Sequence, residues 1–332
     1  MAEWLYEAGI GEARAALVEA GEIIEALIEI ESDAPRAGAV MGARLIRQLI
    51  AGRRGIVALD GGGEALLEPL PPGLTEGGKL IVEIMREAIP EAGRAKLAKA
   101  RAAPNATPHP GPDLASRLAA SGTAVVTLGT HGPDRLEAAG WSELIEEAAT
   151  GEIAFPGGAL RISLTPAMTL IDVDGPLPPA DLAVAGAHAA ARAIRKLGIA
   201  GSIGIDLPTM ASKAERQAAA AALDAVLPQP FERTAVNGFG FLQIVRRRER
   251  ASLPELIQGD PAAAAARALL RRAERTPGAG ARTLIAAPSV IAIISAHEDW
   301  QAALARRIGA SVALRPDPAL AISAGHVQTD HP

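Results

Sequence analysis

Two aspartates stand at the ends of apolar runs. Thr169-Leu170-Ile171-Asp172-Val173-Asp174-Gly175 and Ser202-Ile203-Gly204-Ile205-Asp206-Leu207-Pro208 each set a carboxylate behind a hydrophobic segment. One amphipathic helix, Ala180 to Leu197, separates them, which predicts a βαβ unit with two parallel strands. A right-handed crossover brings Asp172 and Asp206 to the carboxyl end of the sheet, where open α/β sheets build their sites. An ionised carboxylate behind buried apolar residues is costly unless it is paired or holds a cation. Two such groups held close repel each other, and a divalent cation relieves the repulsion. Hard oxygen donors with water left in the shell suit Mg²⁺ or Mn²⁺. Either aspartate alone would read as a strand cap; the pair points to a metal or phosphate site, with Asp174 beside it.

The elements that must position this pair alternate between strand and helix. A hairpin, Glu152–Phe155 and Leu160–Leu164 about Gly157-Gly158, leads to a strand over Met168–Val173, the helix Ala180–Leu197 and a strand over Ser202–Ile205. A helix over Lys213–Leu227 and a strand over Phe239–Arg246 follow. Upstream lie a helix (Asp113–Ala120), a strand (Thr123–Leu128) and a helix (Trp141–Thr150). This alternation predicts an α/β layer architecture. Near the N-terminus, Ala15–Val18 and Ile23–Ile28 around Gly21 predict a strand hairpin. Short strands at roughly ten-residue spacing after Pro35 predict a small β-barrel. Arg94 to Arg101 reads as a basic helix. Ala102 to Pro112 has four prolines in eleven residues and reads as a linker. The tail, Asp260 to Val327, predicts two helices and two short strands.

Composition narrows the chemistry. The 332 residues contain no cysteine, which excludes a thiolate nucleophile, an iron–sulfur cluster and any cysteine-bound zinc. Trp, Tyr and Phe number 3, 1 and 4, too few for a surface that works mainly by stacking. A net charge of −5 excludes a uniformly basic nucleic-acid protein but leaves room for local basic patches. One such patch is Arg246-Arg247-Arg248 with Arg250, at the end of a strand. Another is Arg44, Arg47, Arg53 and Arg54 on the barrel, with Arg86, Arg94, Lys96, Lys99 and Arg101 close behind. The histidines, 109, 131, 188, 297, 326 and 331, show no metal-ligand spacing. Gly61-Gly62-Gly63 leads into a strand, so it does not start a phosphate-binding helix. The N-terminus has no basic start or apolar signal core, and the longest uncharged stretch, Leu118 to Pro133, is short and polar. A cytoplasmic protein without a membrane partner is expected.

The run Phe155-Pro156-Gly157-Gly158-Ala159-Leu160-Arg161-Ile162-Ser163-Leu164-Thr165-Pro166-Ala167-Met168-Thr169-Leu170-Ile171-Asp172-Val173-Asp174 resembles the signature of the ribonuclease E/G family. Ile205-Asp206 looks like that family's second catalytic aspartate. Val236-Asn237-Gly238-Phe239-Gly240-Phe241-Leu242-Gln243-Ile244-Val245-Arg246-Arg247 looks like its arginine-phenylalanine-glycine strand, with Gly238 where the family has the arginine. The resemblance implies an α/β fold with an RNase H-like mixed sheet flanked by helices and an inserted OB-type, S1-like barrel. Residues 1–34 would supply the first strands of the RNase H-like domain, 35–101 the barrel and 102–112 the linker. Residues 113–258 would form the catalytic domain and 259–332 a small C-terminal α/β region.

The same resemblance implies that Asp172 and Asp206 hold one Mg²⁺, which would activate a water for in-line attack on a single-stranded RNA phosphodiester. Asp174 occupies an asparagine position of the family and would orient a ligand or bind metal. Cleavage would leave a 5′-phosphate and a 3′-hydroxyl. Arg246, Arg247, Arg248, Arg44 and Arg54 would bind RNA. Without cysteines, the zinc-linked dimer of full-length members is excluded, while another homo-oligomer is not. Two alternatives stay open. One is an RNA-binding relative in which Gly238, Asp174 and Pro166, at the family's glutamate position, weaken catalysis. The other is a phosphohydrolase of small molecules using Asp172-Val173-Asp174-Gly175, a run similar to the nucleophile loop of haloacid-dehalogenase-type phosphatases.

Overall fold

Period-two alternation of buried and more exposed residues runs through the strands over residues 152–155, 158–164, 169–174 and 241–246, which gives the sheet they form one apolar face. The computed structural model describes residues 1–91, 95–130, 132–278 and 280–329. In chain order the first strands are β1 (Glu3–Ala8), β2 (Glu12–Glu19) and β3 (Glu22–Ile30). Five more follow: β4 (Val40–Ile50), β5 (Arg54–Leu59), β6 (Glu64–Leu67), β7 (Lys79–Arg86) and β8 (Ala98–Ala102). Next come α1 (Leu114–Ala119), β9 (Val125–Thr127), α2 (Arg135–Ala138) and α3 (Trp141–Thr150). The central part comprises β10 (Glu152–Phe155), β11 (Gly158–Leu164), β12 (Thr169–Asp174), α4 (Pro179–Lys196), β13 (Gly201–Asp206), α5 (Lys213–Asp224), β14 (Glu232–Arg233) and β15 (Phe241–Arg246). The last part holds α6 (Leu253–Gly259), α7 (Pro261–Arg275), β16 (Arg282–Ala286), α8 (Pro288–Ala296), α9 (Glu298–Ile308), β17 (Val312–Pro316) and β18 (His326–Thr329). The protein is thus mixed α/β with a closed five-stranded barrel. Among the described residues, no helix is long and apolar enough to cross a membrane.

The chain forms two compact units. The first gathers residues 1–31, 122–145 and the described residues from Leu256 onward. Its larger sheet has the order β3-β2-β1-β9: an antiparallel meander with β9 added parallel to β1. β2 occupies one edge of β1, so the other edge is free to take Val125–Thr127, fixed by Trp4 N–H donating to the Ala124 carbonyl at 2.8 Å. The hairpin expected around Gly21 forms, with Ala20 and Gly21 both at positive φ, as a two-residue turn requires. The tail is richer than its sequence suggests. Three strands, β17-β16-β18, form a sheet, and Ile10 packs with Leu269, Leu270, Leu284, Ile294 and Leu304 in one core.

The second unit spans residues 32–121 and 146–255 and contains both the barrel and the sheet that bears the aspartates. The barrel closes in the order β4-β5-β6-β8-β7 around Leu45, Val57, Leu67, Val82 and Ile84. The basic helix expected over Arg94–Arg101 is instead strand β8, with Lys96 bridged to Ile89; Arg94 lies outside the described residues. Ala98 and Ala100 point into the barrel while Lys99 and Arg101 alternate with them, and this small-residue strand closes the barrel between β6 and β7. The proline-rich stretch expected as a linker is tied to the barrel, because His109 and Val40 exchange two backbone hydrogen bonds of 2.9 Å.

The second sheet has the order β10-β11-β12-β13-β15-β14 and is built from residues 152–246 alone. This corrects the expected domain plan. The N-terminal strands and Val125–Thr127 form their own sheet and contribute no strand to that of Asp172 and Asp206. β12 and β13 are parallel, as the βαβ pattern predicts, and every other pairing in the sheet is antiparallel. One face carries Ile153, Leu160, Ile162, Ile171, Val173, Ile203, Ile205, Leu242 and Ile244, all buried. Helix α4 lies on that face with α5 packed beside it. Gly186 makes the close approach possible, since a Cβ there would meet Val173 Cγ1 at 2.3 Å. A capping box between Ser212 and Glu215 fixes the start of α5.

Candidate active site

Parity along β12 decides where its carboxylates point. Thr169, Ile171 and Val173 are buried, so Leu170, Asp172 and Asp174 share the opposite, exposed face. On β13 the same parity exposes Asp206 behind buried Ile205. The parallel register pairs Asp172 with Asp206 directly. Neighbouring strands are about 4.8 Å apart, so the two carboxylates rise side by side from one open face. Among the described residues, neither they nor Asp174 make a side-chain hydrogen bond or ion pair.

The register extends this row across the sheet. Glu152 of β10 pairs with Arg161 of β11, Arg161 with Asp172, Asp172 with Asp206, and Asp206 with Phe241 of β15. Arg161 is therefore the cation next to the aspartate pair, a residue that sequence reasoning passed over. Its Nε lies 3.6 Å from Glu152 Oε1, and both side chains are 65% exposed. The adjoining row on the same face is Ser163, Leu170, Gly204 and Gln243. The Phe241 ring and Leu170 lean over Gly204, where a Cβ would meet Phe241 Cζ at 2.5 Å and Leu170 Cδ2 at 3.0 Å. The pair thus sits on an exposed face with an arginine on one side and an apolar floor on the other.

The chemistry of these donors fits Mg²⁺ or Mn²⁺. Two hard, unpartnered carboxylate groups in register leave most of an octahedral shell to water and substrate, the usual arrangement for Mg²⁺. Asp174 stands on the same face two residues further on, paired with Ala159 of β11. Among the described residues, no group of three or more His, Asp or Glu side chains is gathered closely enough to hold a metal. His131 and His331 lie outside the described residues.

The basic residues expected to bind RNA divide differently from their sequence clusters. Arg246 pairs with Gly201, at the opposite end of β13 from Asp206. Five residues of strand put it roughly 17 Å from the carboxylate pair. It also shares parity with buried Leu242 and Ile244, on the helix-covered face, and its Nη1 donates to the Ile199 carbonyl at 2.9 Å. Arg248 is paired with Glu255, and Arg247 with Glu249 at 3.2 Å. This cluster is therefore not part of the aspartate site, because the antiparallel course of β15 carries it away. It lies instead near the barrel, where Glu87 N–H donates to the Glu249 carbonyl at 2.8 Å and Lys96 Nζ to the Pro166 carbonyl at 3.1 Å.

On the barrel, Arg54 Nη2 is held by Glu68 at 2.9 Å, and Lys99 approaches the same carboxylate at 3.4 Å. The Arg54 guanidinium, by hydrogen bonding, keeps the Glu68 carboxyl below its ordinary value. Arg44 is different. It is exposed and pairs across β4 and β7 with exposed Lys79, and among the described residues no side-chain partner holds either cation. No protein-family model matches the chain, and no curated protein sequence matches it.

Proposed function

We propose that this chain is a Mg²⁺-dependent endoribonuclease that hydrolyses phosphodiesters of single-stranded RNA, in the manner of the ribonuclease E/G family it resembles. The observation that carries the reading is the row Arg161–Asp172–Asp206: two adjacent carboxylates without partners among the described residues, on an open face, with a cation in register beside them. Asp172 and Asp206 would hold the Mg²⁺. When bound there, such a cation supplies Lewis-acid activation of water and neutralises charge at the phosphate. The Arg161 guanidinium is placed to take a non-bridging phosphate oxygen, offsetting the negative charge that Asp174 adds to the site. The uncovered sheet face admits an extended strand, and hydrolysis would leave a 5′-phosphate and a 3′-hydroxyl.

The meander β3-β2-β1 followed by a strand parallel to β1 supports an RNase H-like character for the first unit, rather than for the sheet of the aspartates. The five-stranded closure β4-β5-β6-β8-β7 supports an OB-type, S1-like barrel that binds RNA. Arg44 and Lys79, exposed and adjacent on that barrel, favour a second reading in which RNA is bound without efficient hydrolysis.

A 5′-labelled single-stranded RNA incubated with Mg²⁺ tests both. Asp172→Asn and Asp206→Asn should each lower cleavage by more than about a hundredfold, since a metal's stabilisation of several kcal/mol is lost at about 1.4 kcal/mol per factor of ten. RNA affinity should stay close to wild type. Undiminished cleavage in either variant overturns the site, and binding without cleavage by the wild type selects the second reading.

A further inference from the structure

Phe239 is the one aromatic side chain of the eight that stands in the open, with 83% of its surface exposed. The three tryptophans are buried, and the other four rings are half-buried. A bare phenylalanine ring on the surface is unfavourable for folding, and here the backbone that carries it is anchored on both sides. Asn237 Oδ1 accepts from the N–H groups of both Phe239 and Phe241, at 2.9 and 3.0 Å. The Phe239 carbonyl accepts from Thr209 Oγ1 at 3.4 Å. Next to it, Gly240 at φ 94° presses on the residue that follows Asp206: a Cβ there would meet the Leu207 carbonyl oxygen at 2.1 Å, and Leu207 N–H donates to the Gly240 carbonyl. The loop that carries the ring is therefore bound to the loop that leaves the candidate metal-holding aspartate. Phe241, two residues on, is in register with Asp206 itself. Two residues of chain span at most about 7 Å, which keeps Phe239 within one or two nucleotide lengths of the carboxylates.

We infer that Phe239 is a stacking platform for one nucleobase of the RNA substrate, next to the phosphate held at Asp172 and Asp206. The inference rests on the ribonuclease reading above and adds a substrate requirement to it: the nucleotide at that position must be unpaired and unstacked from its neighbour. The chain neighbours of Phe239, Asn237, Gly238 and Gly240, are polar or lack a side chain, so they add no apolar surface around the ring. The ring matches the π-face of a single base, and such stacking accepts any base because every base has that face. The site would therefore select for single-strandedness beside the cleaved bond and only weakly for sequence.

The test uses the full chain and a single-stranded RNA oligonucleotide with one mapped cleavage site, together with a series carrying an abasic nucleotide at each flanking position. Phe239→Ala should lower kcat/KM roughly 5- to 150-fold, the range reported by stacking contacts of this kind. Phe239→Trp should retain activity, and the melting temperature of both should match the wild type. One abasic position should lower wild-type cleavage by a similar factor and leave Phe239→Ala no worse. Equal cleavage of all RNAs by wild type and Phe239→Ala would overturn the inference while leaving the ribonuclease reading intact. A wild type that neither binds nor cleaves RNA would overturn both. A shift in oligomeric state of Phe239→Ala, with cleavage unchanged, would identify a protein-facing ring and overturn the inference.

Discussion

Arg161 and Arg246 are arginines on strands of one sheet, yet pairing gives them opposite prospects. Arg161 faces outward beside Asp172, while Arg246 is turned to the helix-covered face and occupied by the Ile199 carbonyl. Arg161→Ala should lower kcat/KM for RNA cleavage by roughly ten- to a hundredfold, as expected for losing a charge-assisted contact of about 1.5–3 kcal/mol. Arg161→Lys should recover part of it, because a lysine keeps the charge and loses the planar fork. Arg246→Ala should leave the cleavage step near wild type in the same assay. The aspartate pair was legible in the sequence because a carboxylate after a buried apolar strand is a costly arrangement that calls for a reason. Arg161 was not, since one exposed arginine in an alternating strand looks like any other until the register sets it against Asp172. The surroundings of Arg246-Arg247-Arg248 were not legible for the converse reason. A charge cluster in sequence carries no information about the Glu249 and Glu255 carboxylates that pair with Arg247 and Arg248.

Elements are held in register by groups that sequence patterns do not advertise. Glu7 of β1 is buried with Arg14 of β2 and with Arg271 and Arg275 of α7, and Arg271 also reaches Asp134 at 2.6 Å. Burial pushes the Glu7 carboxyl up, but the Arg14 and Arg271 charges and the hydrogen bonds from Arg275 and Arg271 outweigh it and hold it below its ordinary value. Asp134 is held low in the same way, its burial outweighed by Arg271 and the Glu137 N–H. A carboxyl depressed on folding contributes stability in full above its unfolded pKa and loses it as pH falls through the folded one. The urea midpoint should therefore decline as pH drops below about 4.5, the ordinary value for Glu7. Glu7→Gln should cost about 3–5 kcal/mol at neutral pH, since it strands buried guanidinium groups, and should flatten that acid decline. Helices with strong apolar periodicity, such as α4, were readable from the sequence. Strand β8 was not, because Ala98-Lys99-Ala100-Arg101 has helical propensity and becomes a strand only by closing the barrel.

At the scale of the whole molecule, with a net charge of −5, the proposed RNA binding would depend on the few cations that no carboxylate holds among the described residues. Arg44 and Lys79 are two of these, whereas Arg54 is committed to Glu68. Arg44→Ala should weaken RNA binding and reduce the slope of log affinity against log salt by about 1, and Arg54→Ala should change the slope less, as a salt titration would measure. The barrel and the α/β layering were legible because strand spacing and helix periodicity are local. The division into units was not, because it depends on β9 pairing with β1, from which residues 32–121 of the second unit separate it in sequence. That division also orders events in time. The chain passes between the two units four times, and the first unit draws on residues beyond Leu256 while the second is complete by Glu255. A ribosome therefore releases every residue of the barrel and the aspartate sheet while the N-terminal meander still waits for α7 to α9 to cover Ile10.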